Sequence, residues 1–290
     1  MIADIQAATT FIHANARLLD RHRLAHLLDG ADPEPVLQTL RAYRNPDGGF
    51  GNAIEPDMRA PDSQPVGVHT AMEIFHELNV REDPMIGSAC DWLASVERPG
   101  GGVAFCLPSA LDHPRGPWWQ PTDATSITQT AANAAALHAL GVDHPWLDRA
   151  SELLWRWLDD LDLASAELGP GIAYDVRFAV WFLNAVPDAA RAEAALDALA
   201  PSLLASGLIT LEAGTGGHVQ TPLDLAPLPE SRARRMFGQA TIDAHLDALA
   251  AAQHDDGGWM IGFDQWSPAA TLEWRGALTV HVLRVLRANG

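Results

Sequence analysis

Residues 245–259 read HLDALAAAQHDDGGW: an amphipathic run, a pair of glycines and then a large aromatic. Two other windows align with it without gaps, VLQTLRAYRNPDGGF at 36–50 and ACDWLASVERPGGGV at 89–103. In each, apolar residues at helical spacing run into a Gly-rich stop. The windows end 53 and then 156 residues apart, and 156 is three times 52. Two degenerate copies are therefore expected between them, in HPWLDRASELLWRWLDDL and AARAEAALDALAPSLLAS. Self-similarity at a fixed period of this length marks repeated helical hairpins.

A second helix is expected after each Gly-rich turn: 65–80, 125–142, 174–186 and 270–288. These stretches are rich in Ala and Gly and apolar on most faces, the mark of burial all round. The preceding helices carry Arg, Asp and Glu on one face and read as half-exposed. Outer helix, turn and buried inner helix, repeated, define the expected fold. It is all-α, an α/α toroid (barrel) of five to six helical hairpins with repeats of about 52 residues, in a single domain over 1–290. No strand pattern of alternating polarity is present. The stretch 207–237 breaks the period, is rich in proline, and is expected to be an ordered surface or mouth loop.

The composition narrows the partners. Apolar residues make up 48% and charged residues 19%, a globular balance. A net charge of −18 argues against nucleic acid or an anionic membrane surface, since either needs a basic footprint. All 19 basic residues are arginine, a sign of GC-rich, bacterial coding, so Schiff-base and P-loop lysine chemistry are excluded. The two cysteines, Cys90 and Cys106, form no CxxC pair. The N-terminus lacks the basic-then-apolar order of a signal peptide, and no apolar run approaches the roughly 20 residues that span a bilayer. A cytoplasmic protein with no integral membrane segment is the expectation.

The heptapeptide QHDDGGW matches the QxxxGxW repeat of squalene–hopene and oxidosqualene cyclases at Gln253, Gly257 and Trp259. The first copy has Arg44 and Phe50 at the defined ends, the second Glu97 and Val103. The chain thus resembles a small, single-toroid member of the terpenoid cyclase and protein prenyltransferase superfamily. That resemblance implies structural roles for the Gln, which caps the outer helix, and for the aromatic, which stacks on the turn. The superfamily's chemical motifs are less visible. Where class II cyclases carry DxDD followed by Thr-Ala, the counterpart here is Ser126-Ile127-Thr128-Gln129-Thr130-Ala131, without a carboxylate. The string DDLD at 159–162 reads as an exposed helix end. His69-Thr70 resembles the His-Thr of the prenyltransferase zinc site, but the partner Asp-x-Cys is missing, as are the Cys and His motifs of lanthionine cyclases. No metal and no cofactor are expected.

In a toroid, the turns leading into inner helices open onto one rim of the central cavity. The loop 51–65 would then bring Glu55, Asp57, Arg59, Asp62, Ser63 and Gln64 to that rim, with Pro56 and Pro61 fixing the backbone between them. The plainer alternative is a solvated loop with an internal Arg–Asp pair. Other inner-helix starts would add Trp118, Trp119 and Asp123, then Tyr174, Asp175 and Arg177, then Trp266, Glu273 and Arg275. Asp123 also fits a helix cap. Glu55, Asp57, Asp175 and Glu273 are the candidate catalytic acids, because a carboxyl in an apolar pocket keeps its proton. Arg59, Ser63, Gln64, Trp118, Trp119, Asp123, Tyr174, Trp266 and Arg275 are the candidate substrate contacts. Ten tryptophans against two tyrosines supply faces for a developing cation, although Trp92, Trp155, Trp157 and Trp181 also fit a plain core.

Three functions fit these residues. The first is acid-initiated cyclisation or isomerisation of a hydrophobic, isoprenoid-like small molecule. The second is a carbohydrate-active toroid, a hydrolase or lyase with two carboxyls roughly 5–10 Å apart. The third is a non-catalytic toroid that binds a ligand or a partner chain, with a protein partner or homodimer left open. The first is taken as the leading expectation.

Overall fold

The computed structural model of the chain describes residues 3–164, 169–214 and 220–290. Two compact units are present, one made of residues 1–41 and 209–290, the other of residues 42–208. The first unit begins with α1 (Ile5–Asn15), α2 (Leu18–Asp29) and α3 (Glu34–Arg41). The second holds α4 (Pro65–Glu77), α5 (Pro84–Ser95), the two-residue strands β1 (Val103–Ala104) and β2 (Thr125–Ser126), α6 (Ile127–Leu140), α7 (Pro145–Asp160), α8 (Pro170–Ala185) and α9 (Ala189–Ala205). The chain then returns to the first unit for α10 (Pro222–Leu225), α11 (Gln239–Ala251) and α12 (Pro268–Asn289). None of the described helices is long and apolar enough to cross a membrane.

The sequence states where these helices start. Proline opens α4, α5, α7, α8, α10 and α12, where its missing N–H costs nothing and its fixed φ suits a first turn. Side chains of Asp4, Asp83, Ser126, His144 and Asp188 accept backbone N–H groups that the first turns of α1, α5, α6, α7 and α9 leave open. Left-handed Gly30 and Gly141 stop α2 and α6.

The expected outer helices appear as α3, α5, α7, α9 and α11, and the expected inner helices as α4, α6, α8 and α12. Burial all round holds for α6, whose run Ala131-Ala132-Asn133-Ala134-Ala135-Ala136 is wholly buried, and largely for α4. Small side chains let α6 pack closely on α8, and α6 also packs on α4 and α7. By contrast α8 and α12 keep partly exposed faces, because they carry long polar side chains between their buried positions.

The three Gly-rich turns share one hydrogen-bond scheme. Asn45 N–H donates to Gly49 O at 2.9 Å, Arg98 N–H to Gly102 O at 2.7 Å and His254 N–H to Gly258 O at 2.8 Å. Gly48, Gly101 and Gly257 sit at φ 95°, 103° and 92°. A Cβ at these places would lie within 2.7 Å of the backbone of α5 at Ser88, α7 at Arg149 and α1 at Ala7 respectively. Only glycine allows both the angle and the approach. The residue opening each turn region reaches the same neighbouring helix. Arg44 donates to Ser88 Oγ, Glu97 accepts both arms of Arg149, and the Gln253 amide bonds the N–H and C=O of Asp4, the cap of α1.

Behind the turns, hydroxyls of the following helix receive the chain. Val103 N–H donates to Thr130 Oγ1 on α6, and Trp259 N–H to Thr279 Oγ1 on α12. Trp259 is 2% exposed and packs with Phe11, Ile12, Leu24, Val280 and Leu283. A fully buried side chain of such size contributes about 1.5–3 kcal/mol.

Two features depart from the expected pattern. The pair β1–β2, with Val103 opposite Ser126, is too short to leave an alternating signature. Within 207–237 the described chain is partly helical. Thr221 and Asp224 form a capping box for α10, and Arg234 donates to Ala226 O and Pro227 O and to Asn289 Oδ1. Residues 215–219 of that stretch lie outside the described residues.

Candidate functional site

In the second unit, the start of α6 meets the first turns of α8. Ser126 caps α6, which fixes Thr128 in its first turn. Asp175, in the second turn of α8, places one oxygen there. Its Oδ1 accepts from Thr128 N–H at 2.9 Å and from Thr128 Oγ1 at 2.5 Å. Among the described residues no other group bonds to this carboxyl. Burial pushes the Asp175 carboxyl above its ordinary value, and the two Thr128 bonds only partly offset this. Those bonds and the N-terminal end of α6 favour the charged form, while loss of solvent favours the neutral acid. Desolvation wins. The 126–131 string, itself without a carboxylate, thus meets one from the neighbouring helix at Thr128.

Further along the same helix stands an aromatic cluster. Phe178, one turn further along α8, meets Trp181 edge-on at 5.2 Å, and both meet the ring of His69 from α4, at 5.4 and 6.3 Å. His69 Nε2 lies 3.4 Å from Glu73 Oε2. The Arg177 guanidinium is 5.6 Å from the Phe178 centroid and 5.1 Å from that of Trp181. With a cation on those rings, they offer an apolar wall next to a positive group rather than a cradle for a second cation. Tyr174 lies on the same stretch of α8 and is partly exposed. Chemically, this stretch of α8 combines a carboxyl raised by burial with an aromatic cluster that carries a positive group.

The acidic loop 51–65 is covered rather than solvated. Glu55 is 5% and Asp57 3% exposed, and Glu55 Oε2 accepts the Asp57 N–H at 2.9 Å. Asp57 O accepts from Gly116 N–H, and Arg59 N–H donates to Pro114 O. The segment 105–119 lies over it, with Met58, Ala60 and Val66 packed on Cys106, Ala110 and Trp119. Trp119 stacks on Phe105 at 4.7 Å, and Trp118 is only partly buried. Ser63 donates to Asp47 Oδ1, and the Gln64 amide is used on both ends, at Ser109 Oγ and Leu107 N–H. Asp62 is exposed. The cap of α6 is Ser126 rather than Asp123, whose side chain is 96% exposed and 3.4 Å from Arg98.

Trp266, Glu273 and Arg275 belong to the first unit. Arg275 donates to Asp256 Oδ1 at 2.6 Å and to Trp259 O, with Phe11 beneath its guanidinium at 4.5 Å. The Arg275 bond holds the Asp256 carboxyl below its ordinary value. Glu273 and Trp266 are partly exposed. No three His, Cys, Asp or Glu side chains come together as metal ligands among the described residues.

Thr128 and Phe178 did not figure among the candidate residues of the sequence. The signal for Phe178 was its spacing from Tyr174 and Trp181 on one helical face; Thr128 was visible only as part of an acid-less string.

No family model and no curated protein matches the chain. Solved structures do. A protein from Actinoplanes is similar over 98% of this chain and 89% of its own, with a TM-score of 0.57 and 19% identity. The type II terpene cyclase MstE from Scytonema, without ligand, is similar over 97% of this chain and 86% of its own, with a TM-score of 0.54 and 16% identity. Its R337A variant in complex with its substrate, geranylgeranyl dihydroxybenzoate, gives a TM-score of 0.53 at 15% identity, over 97% and 87% of the two chains. At such identities the likeness is one of fold: the chain has a terpene cyclase-like, mainly helical fold.

Proposed function

We propose that this chain is a terpenoid cyclase-like enzyme, a single α/α-toroid domain of five to six helical hairpins. In this reading it protonates a hydrophobic, isoprenoid-like small molecule and so starts a cyclisation or isomerisation. Asp175, of the four carboxylates considered, is the proton donor. One observation carries the choice: both Thr128 donors converge on Oδ1 of a part-buried carboxyl that burial raises above its ordinary value, and Oδ2 takes no bond from the described residues. A positioned acid with its pKa moved toward the working pH is what general acid catalysis needs. His69, Phe178 and Trp181 would line the greasy side of the ligand, and Arg177 would meet an anionic end. Likeness in fold to a cyclase that binds a geranylgeranyl compound supports the substrate class.

The test is turnover of squalene, geranylgeraniol, geranylgeranyl diphosphate and geranylgeranyl dihydroxybenzoate by wild type and Asp175→Asn, with products followed by mass spectrometry. The expected outcome is conversion of at least one by wild type and a loss of at least about 100-fold in the variant. Equal turnover by both would remove Asp175 from the reaction. A second reading, a ligand-binding module without turnover, is favoured by Thr128 and Gln129 standing where class II cyclases carry acids. It predicts saturable binding of the same compounds with no product.

A further inference from the structure

We propose that Thr128 is the positioning residue for Asp175, fixing its transferable proton on Oδ2 and limiting how firmly the proton is held. The inference deepens the acid reading above and rests on it for its catalytic meaning. Both donors of Thr128, its N–H at 2.9 Å and its hydroxyl at 2.5 Å, converge on Oδ1. In a neutral carboxyl group the carbonyl oxygen is the better acceptor, so an oxygen that takes two bonds is the carbonyl one and the proton sits on the other. Oδ2 is then the oxygen from which the proton would leave.

Geometry also sets the strength of the acid. A hydroxyl at 2.5 Å from a carboxyl oxygen is in the range of charge-assisted bonds, and it strengthens as Asp175 gives up its proton. Burial alone would make Asp175 a reluctant donor; Thr128 lowers the cost of the carboxylate left behind. Neighbouring elements bring other titratable groups, namely Tyr174 and Arg177 on α8, His138 on α6, and His69 and Glu73 on α4. On α9, Arg191 is taken up by the Trp155 ring and by Asp159. Burial raises the Asp175 carboxyl, and its two Thr128 bonds lower it.

The experiment is a 13C carboxyl titration of aspartate-labelled protein by NMR, with the Asp175 signal assigned by its loss in Asp175→Asn. Thr128→Val removes the hydroxyl at nearly constant volume and keeps the N–H bond; Thr128→Ser keeps both bonds. The expected result is a midpoint shifted upward in Thr128→Val and restored in Thr128→Ser. The high-pH limb of kcat/KM moves the same way, with kcat reduced and KM little changed. An unshifted midpoint in Thr128→Val, or a Thr128→Ser protein that titrates like the valine variant, would overturn the assignment. A shifted midpoint in a protein whose Asp175→Asn variant keeps full turnover would support the Thr128 assignment while removing the acid reading, so the two fail separately.

Discussion

Arg275 shows what a single residue discloses and what it withholds. An arginine inside an apolar helix announces a partner, because a buried guanidinium is costly alone. The sequence does not say whether that partner is a ligand or the chain itself. Here it is the chain: Arg275 ties α12 to the Gly-rich turn through Asp256 and Trp259 O. Ser63 and Gln64 are likewise spent on the loops around them. Replacing Arg275 by Met keeps the packing on Phe11 and removes both bonds, so Arg275→Met is expected to cost about 1.5–3 kcal/mol. Urea unfolding of the two proteins measures this. A variant as stable as wild type would mean that Arg275 is held in reserve for something other than the fold. Asp175 was legible as a candidate acid from its place near an inner-helix start. Its partner was not, since Thr128 lies 47 residues away in the chain.

At the scale of elements, α6 is the helix most fully legible. Its alanines and threonines, the Ser126 cap and the Gly141 stop all say buried helix, and burial follows. The cost of that burial falls on His138. Desolvation depresses its pKa to about 4, opposed in part by Asp148, and its Nε2 lies 2.8 Å from Ser151 Oγ on α7. A base whose folded pKa lies below its unfolded value stabilises the fold fully above the unfolded pKa, 6.5 here, and loses that contribution as pH falls toward 4. The loss amounts to roughly 3 kcal/mol, at about 1.4 kcal/mol per pKa unit. His138→Gln, which cannot take up the proton, is expected to flatten the fall in stability between pH 6.5 and 4. Denaturation midpoints across that range check it; parallel curves for both proteins would assign the acid sensitivity elsewhere. The strands β1 and β2 and the short α10 were not legible, because two to four residues carry too little periodicity to stand out.

For the whole molecule, the three aligned windows located α3, α5 and α11 because each Gly-rich turn needs the same three things. These are a glycine at positive φ, a close approach to a neighbouring helix, and a side chain that reaches that helix. The turn scheme therefore survives where the identities drift, from Gln253 to Glu97 to Arg44. Chemistry is not repeated, so the period says nothing about it. The carboxylate beside Thr128 sits on α8, and the sequence ahead of that helix, LDLASAELG at 161–169, has no glycine pair. Likeness to solved structures spans nearly the whole chain and concerns its fold; the proposed reaction rests on Asp175. The most direct test of that claim is to run the reaction in deuterated water and read the product by mass spectrometry and NMR. One solvent deuterium is expected at the carbon first protonated, and no such product from Asp175→Asn. Product formed without solvent deuterium would contradict it.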